Sequence, residues 1–178
     1  MKKEKIVYLS PSTQEKNKGV GDYGTEEFRM NKIADILEEK LVSAGYKVYR
    51  NSPKDLLQEI IVKSNELKPD IHVALHSNGS SIGKGRGPEI FTNRPETDAA
   101  KLAEYIYEEI LKLYYDKSLG RGIKYTNELA EIIYVNAPAV LLEVAFHDNE
   151  MDAKWIIANK EQIAKAIFLG IEKYFDSK

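Results

Sequence analysis

Short apolar runs alternate with longer amphipathic segments along this chain. The apolar runs predict β-strands at 6–9, 46–50, 70–76, 88–92, 132–135 and 139–146. In the segments between them, apolar residues recur every three or four positions, which predicts helices at 26–44, 52–68 and 96–115 and a last helix after Asn159. Because strands and helices alternate, and the strands are apolar enough to be covered on both faces, we predict an α/β sheet with helices on both faces.

The composition narrows the class of protein. The chain has 178 residues, 43% of them hydrophobic and 30% charged, as expected for one soluble domain with a real core. A net charge of −2 argues against a nucleic-acid partner, which would need a basic excess. No apolar run approaches the roughly 18 residues of a membrane span, so we expect no membrane insertion. The apolar stretch Ile6–Leu9 is too short for a signal peptide, and the lack of cysteine excludes disulfides and thiolate ligands.

Three polar residues stand where buried or structured backbone is predicted. His76 ends the apolar strand in "VALHSNGS", Glu143 interrupts "AVLLEVAF", and Glu27 lies at a helix start. An internal salt bridge or a solvent-exposed strand end would explain Glu143, a structural hydrogen bond would explain His76, and the helix dipole would explain both Glu26 and Glu27. The other interpretation is a ligand site, because strand ends and helix starts share one edge of an open α/β sheet.

Four segments, in this order along the chain, resemble the zinc-dependent N-acetylmuramoyl-L-alanine amidases of the amidase-3 type. The segment "TEEFRMNKIADILEEKLVSAGYKVYRN" is similar to a Glu-x-x-x-Asn helix followed by a Gly-Tyr-x-Val strand, and "PDIHVALHSNGS" is similar to an Ala-Asp-x-x-x-Ser-x-His-x-Asn segment. The segment "GRGIKY" resembles an Arg-Gly-x-Lys loop, and "APAVLLEVAFHDNEMDAKWI" resembles a Pro-x-x-Leu-x-Glu-x-x-Phe-x-x-Asn-x-x-Asp signature.

The resemblance implies a fold, a reaction and roles for particular residues. The fold would be a single α/β domain over residues 1–178, with a mainly parallel six-stranded twisted sheet of the phosphorylase/hydrolase-like kind. Glu27, chosen over Glu26 because Asn31 follows it by four, and His76 would bind Zn²⁺, and Glu143 would be the catalytic carboxylate. Zinc-activated water would cleave the amide bond between N-acetylmuramic acid and L-alanine of the stem peptide. Asn78, beside the metal in the chain, would line the substrate groove.

The chain departs from the family pattern after the first strand. The family has Gly-His there, supplying a third zinc ligand, whereas this chain reads "SPSTQEKN". Gln14 is the expected replacement, and water, Asp22 or the absence of bound metal are the alternatives. For His147, four residues after Glu143, the alternatives are a surface position and an approach to the site, and we expect the surface position. His72 is expected to be too far down its strand, by about 13 Å, to share a metal with His76.

The departure leaves rival functions open. The first expectation is a peptidoglycan amidase that acts as a monomer outside the cell or at the bacterial cell wall, as part of an autolysin or a phage endolysin, with no cell-wall-binding domain in this chain. The alternative is a peptidoglycan-binding module that has lost its zinc and its activity. A zinc carboxypeptidase acting on other peptides is a third possibility.

Overall fold

The computed structural model describes residues 4–80 and 82–178. One six-stranded sheet has the strand order β2-β1-β3-β6-β4-β5. The strands are β1 (Ile6–Pro11), β2 (Lys47–Arg50), β3 (Ile71–Asn78), β4 (Glu89–Thr92), β5 (Gly122–Tyr125) and β6 (Ala139–Phe146). Strands β2, β1, β3 and β6 are parallel, β4 runs antiparallel to β6, and β5 is parallel to β4. The predicted α/β fold with a mainly parallel six-stranded sheet is confirmed.

Within the described part of the chain, six α-helices accompany the sheet. They are α1 (Glu26–Ser43), α2 (Leu57–Leu67), α3 (Asp98–Leu113), α4 (Ala130–Ile133), α5 (Glu150–Ala158) and α6 (Lys160–Asp176). Helices α1, α3 and α6 share one large apolar cluster with the sheet, while α4 and residues of α2 pack on the other face in a smaller cluster. Among the described residues, no helix has the length and apolar character needed to cross a membrane.

Alternation along the strands explains why the two faces differ. Val73 and Leu75 of β3 point into the large cluster, whereas Ala74 points into the small one. Side chains on a strand alternate between faces, so His72 and His76 lie on the face of Ala74. Strand β6 repeats this pattern, with Leu142 in the large cluster and Leu141 in the small one. Glu143 therefore lies on the same face as His76, and this face carries the polar side chains.

Two local predictions were wrong, and two elements, β5 and α5, were not predicted. Residues 132–135 do not form a strand, because α4 occupies 130–133, and the strand that completes the sheet is β5, inside the "GRGIKY" segment. Helix α5 was not predicted. Helix α2 starts at Leu57 rather than near residue 52, because Ser52 and Asp55 close a separate turn in which the Ser52 N–H donates to Asp55 Oδ2 at 3.0 Å.

Candidate active site

An imidazole and a carboxylate from distant parts of the chain meet at the carboxyl-terminal edge of the sheet. Strand β3 carries His76 near its end, and Glu26 is the first residue of α1. The Oγ1 of Thr25 caps this helix by accepting the Phe28 N–H at 3.2 Å. Glu26 is 1% exposed, and its Oε1 lies 2.7 Å from His76 Nδ1. The helix start and the strand end therefore build a part-buried imidazole–carboxylate pair.

The carboxylate that reaches His76 belongs to Glu26, not to Glu27. Helix α1 buries a stripe that includes Glu26, Met30, Ile33, Leu37 and Leu41. Glu27 lies about 100° further round the helix, so its side chain leaves that stripe. Asn31, whose spacing had favoured Glu27, donates from Nδ2 to the Glu27 backbone oxygen at 2.8 Å and so makes a local helix contact. The structure thus places Glu26, and not the predicted Glu27, beside His76.

The loop after β1 brings two amides to the same place. Gln14 Nε2 lies 3.5 Å from His76 Nδ1. Asn17 donates from Nδ2 to Gln14 Oε1 at 2.7 Å and to Glu26 Oε2 at 2.7 Å. The predicted residue Gln14 is therefore beside the pair. Asn17, which aligns both oxygens, was missed because nothing in the sequence distinguishes it from other polar loop residues.

Glu143 faces this pair from the neighbouring strand. It is the register partner of His76 on β3 and of Glu89 on β4. Its Oε2 is buried and has no hydrogen-bond partner among the described residues. Burial, followed by the negative charges of Glu26 and Glu89, raises the pKa of Glu143 to about 7, against the opposing effect of His76. Among the described residues, the structure shows no internal salt bridge to Glu143, so the structural interpretation of this residue is not supported.

The electrostatics of the pair differ from those of Glu143. Burial acts to lower the pKa of His76, but the hydrogen bond with Glu26 and the charge of Glu143 outweigh it and raise that pKa to about 8. Burial acts to raise the pKa of Glu26, but the hydrogen bond and the charge of His76 overcome it and hold that pKa below its usual range. His76 and Glu26 are thus an ion pair at neutral pH, with a proton between two groups that are both ligands for metal ions.

Two hydrogen bonds fix the side chain of Asn78. Its Nδ2 donates to Glu89 Oε1 at 2.6 Å, and its Oδ1 accepts the Gly79 N–H at 2.9 Å. Glu89 is in turn paired with Arg121, whose Nε lies 2.9 Å from Glu89 Oε2. A polar cavity of about 330 Å³ collects these site residues, and it is lined by Gln14, Asn17, Glu26, Ser77, Asn78, Gly79, Glu143 and His147.

The other two histidines occupy different environments. His72 is fully buried, with Nε2 2.7 Å from Glu131 Oε2 and Nδ1 3.0 Å from Ser64 Oγ, so it is held by structural hydrogen bonds. Glu131 and His76 both line a second cavity, of about 360 Å³. His147 was predicted to be a surface residue, and this is wrong, because only 6% of it is exposed.

The donor set can be compared with the needs of a metal ion. Within residues 4–80 and 82–178, no group of three or more His, Cys, Asp or Glu side chains could hold a metal ion. Two strong donors, the His76 imidazole and the Glu26 carboxylate, do meet, and the Gln14 amide is the third polar group beside them. Imidazole and carboxylate are ligands that zinc accepts, and an amide oxygen is a neutral, weaker one. The residues present fit a divalent cation that is held more loosely than by two imidazoles and a carboxylate.

The carboxyl-terminal edge of this mostly parallel sheet carries an imidazole–carboxylate pair. It also carries Glu143, whose Oε2 has no hydrogen-bond partner among the described residues. This arrangement is typical of a hydrolase. The family model for N-acetylmuramoyl-L-alanine amidase, Amidase_3, matches residues 7–173, and the chain belongs to this family.

Relatives and solved structures agree with this placement. The germination-specific N-acetylmuramoyl-L-alanine amidase of Bacillus subtilis (strain 168) is 25% identical over 168 residues, which cover 89% of this chain and 67% of the relative. The N-acetylmuramoyl-L-alanine amidase structure from Clostridium difficile 630 has a TM-score of 0.82 and 26% identity, with 98% of each chain covered. Amidase AmiC2 of Nostoc punctiforme has a TM-score of 0.85 with 97% of each chain covered, and at 21% identity it supports the fold alone.

Proposed function

We propose that this chain is a peptidoglycan hydrolase that cleaves the amide bond between N-acetylmuramic acid and L-alanine of the stem peptide. The observation that carries the proposal is Glu143, a part-buried acid in the wall of a polar cavity that faces the His76–Glu26 pair. Its Oε2 atom is buried and has no hydrogen-bond partner among the described residues. A carboxylate with a pKa of about 7 can both accept and return a proton near neutral pH. The family membership supports the choice of bond.

We propose that Glu26, His76 and Gln14 hold a zinc ion, with Glu26 taking the role expected for Glu27. The family is generally zinc-dependent. When bound, zinc polarises the substrate carbonyl and lowers the pKa of a coordinated water toward about 7. The Asn17 Nδ2 donates to both Gln14 Oε1 and Glu26 Oε2 and so holds these two side chains next to each other.

The protein's own acid moves the proton. Glu143 accepts a proton from the attacking water as the water oxygen bonds to the carbonyl carbon of the lactyl group. When the carbon–nitrogen bond breaks, Glu143 returns the proton to the leaving nitrogen of L-alanine. The products are a free carboxyl group on the muramic acid and a free amino group on the peptide. Asn78, oriented by Glu89, lies in the cavity wall and contacts the substrate in this proposal.

The setting follows from the substrate. Peptidoglycan lies outside the cytoplasmic membrane, so we propose that the protein acts at the cell wall, either as an autolysin of the cell or as an endolysin released by phage lysis. The Bacillus relative is named as an amidase specific to germination. We propose that the described domain is the catalytic unit and acts as a monomer.

Digestion of purified cell wall tests the reaction. We expect new amino groups on L-alanine and no new reducing sugar ends, and we expect a chelator to stop their release. New reducing ends would show a glycosidase, and release of other amino acids would show a carboxypeptidase. Binding to wall without any cleavage in the presence of zinc would favour the inactive binding module.

Three variants assign the roles. Glu143→Ala should abolish turnover and leave bound zinc unchanged, because the acid acts on the proton and not on the metal. Gln14→Ala should weaken zinc binding, whereas Gln14→His should strengthen it by supplying a better donor. Loss of zinc in the Glu143 variant, or unchanged zinc affinity in both Gln14 variants, would contradict these assignments.

A further inference from the structure

His147 places a histidine nitrogen in the wall of the catalytic cavity that the proposed reaction does not use. The residue follows β6 and is four positions beyond Glu143. Its backbone N–H donates to the backbone oxygen of Asn78 at 2.8 Å, and its backbone oxygen accepts the Val20 N–H at 2.9 Å. The residue is thereby held between the end of β3 and the loop that precedes α1, both of which border the cavity.

Neighbouring groups determine which ring nitrogen carries the proton. Nδ1 of His147 lies 2.7 Å from the Ser77 backbone oxygen, which can only accept a hydrogen bond. The hydrogen of the neutral ring is therefore on Nδ1, and Nε2 carries the lone pair. Tyr23 packs its ring 5.8 Å from the imidazole and donates its hydroxyl to Ser77 Oγ at 2.7 Å, so the ring cannot rotate freely.

Nε2 of His147 lies beside Gly79, and both residues line the cavity. A Cβ added at Gly79 would lie 3.2 Å from Nε2, so the absence of a side chain at this position leaves the nitrogen uncovered. Across residues 4–80 and 82–178, His147 makes its hydrogen bonds through Nδ1 and its backbone, and no bond to Nε2 is found. Both His147 and Glu143 line this cavity. A preorganised acceptor thus shares the space where the substrate is expected.

We propose that His147 is a substrate-positioning residue whose Nε2 accepts a hydrogen bond from a peptide N–H of the stem peptide. This inference rests on the proposed function, because it takes the stem peptide as the occupant of the cavity. The role complements Glu143: the acid acts on the scissile bond, and the imidazole holds the adjoining peptide. Glycine at position 79 is required because any side chain there would cover the acceptor.

Two substitutions of His147 separate its two nitrogens. His147→Asn retains a short N–H donor for the Ser77 oxygen and removes the acceptor at the position of Nε2. His147→Gln places an amide near the position of Nε2. One hydrogen bond of this kind is worth about 1 kcal/mol, so we expect His147→Asn to raise KM about fivefold to tenfold with kcat within about twofold of wild type. His147→Gln should recover most of that loss. A purely structural role would lower the melting temperature without this division between KM and kcat.

Gly79→Ala provides a second route to the same nitrogen. Gly79 is not among the glycines with positive φ, so alanine is compatible with its backbone. The new methyl group should cover Nε2 and raise KM as much as His147→Asn does. In the double variant the two effects should not add, because both remove one contact. As a matched control, His72→Asn alters a buried histidine held by Ser64 and Glu131 and should lower stability without changing KM.

Nuclear magnetic resonance of the ring nitrogens tests the contact without turnover. The zinc-loaded Glu143→Gln protein is titrated with a stem peptide that lacks sugar, and separately with N-acetylmuramic acid that lacks peptide. We expect the Nε2 resonance of His147 to shift with the peptide and the Nδ1 resonance to stay. A shift with the sugar alone, an unchanged KM in His147→Asn, or loss of zinc from that variant would overturn the proposal. If the wild-type protein fails to cleave cell wall but the peptide still shifts Nε2, the proposed reaction fails and the binding role stands.

Discussion

Replacing Glu143 by glutamine should make the metal-free protein more stable at alkaline pH, although it removes the proposed catalytic acid. Burial and nearby acids raise the pKa of Glu143 from an ordinary value of 4.5 to about 7. At about 1.4 kcal/mol for each pH unit, and after allowing for the solvent that reaches a part-buried side chain, ionising this group in the folded protein costs about 2 to 3 kcal/mol. The folded state binds this proton more tightly than the unfolded state does. The cost is therefore absent below about pH 4.5, grows until about pH 7 and remains constant above it.

Urea unfolding with a chelator present, at about pH 4 and about pH 9, measures this cost. The free energy of unfolding of Glu143→Gln minus that of wild type should rise by about 2 to 3 kcal/mol between the two pH values, because the titration of most other groups cancels in the difference. Glu131→Gln is the matched control. Burial acts to raise the pKa of Glu131, but its hydrogen bond and charge interaction with His72 hold that pKa below its usual range, so the control should be destabilised instead. A difference for Glu143→Gln that does not change with pH would refute the reasoning.

Three further substitutions test how the site is supported. Asp152 is fully buried and accepts hydrogen bonds from two tyrosine hydroxyls and from the backbone N–H groups of Gly87 and Phe146. Asp152→Asn should therefore lower the free energy of unfolding in urea by about 2 to 4 kcal/mol. The same substitution should slow wall hydrolysis, because it loosens the end of β6. Gly87→Ala should lower the melting temperature, since φ is +92° and the new Cβ would lie 1.9 Å from a backbone oxygen; an unchanged melting temperature would contradict that close approach. Gly170→Ala should also destabilise the protein, because its Cβ would lie 2.6 Å from Ile106 Cα and force α6 away from α3, and a melting temperature equal to wild type would show that the two helices can move apart without cost.

The sheet could be predicted where its strands are covered on both faces. Strands β1, β3 and β6 lie in the middle of the sheet and are almost wholly buried, so their sequences are continuous apolar runs. Strand β5 is at the edge, is part exposed, and contains Gly122 and Lys124, so it carries little apolar signal. The apolar run at 132–135 was assigned to a strand, and a run of four residues fits either structure. In the structure, residues 130–133 form helix α4, and Ile132 joins the small apolar cluster that includes Leu141.

The site was predictable to the extent that it lies on regular elements. His76 and Glu143 were found because each interrupts an apolar strand. Glu26 was available from the same logic, since it precedes Ile33 by seven residues and so shares the buried stripe of α1. The motif spacing to Asn31 favoured Glu27 instead, and the helical period was the better guide to which side chain faces the sheet. Asn17 and His147 lie in loops, where no periodicity indicates the direction of a side chain.

The Oε2 atom of Glu143 has no hydrogen-bond partner among the described residues, and this is the physical link between the fold and the proposed reaction. Arg121 reaches the adjacent strand β4, and its Nε pairs with Glu89 at 2.9 Å. Glu89 also accepts a hydrogen bond from Asn78. Of the two acids that lie in register on β4 and β6, Glu89 is therefore paired, whereas Glu143 Oε2 has no partner among the described residues. A fold selected only for stability would gain by pairing or replacing such a group. An ion pair with Arg or Lys would lower the pKa of Glu143 and weaken it as a proton acceptor. The arrangement therefore gives up stability and keeps the pKa of this acid near neutral. It follows that an Arg or Lys engineered to reach Glu143 should stabilise the protein and slow the reaction.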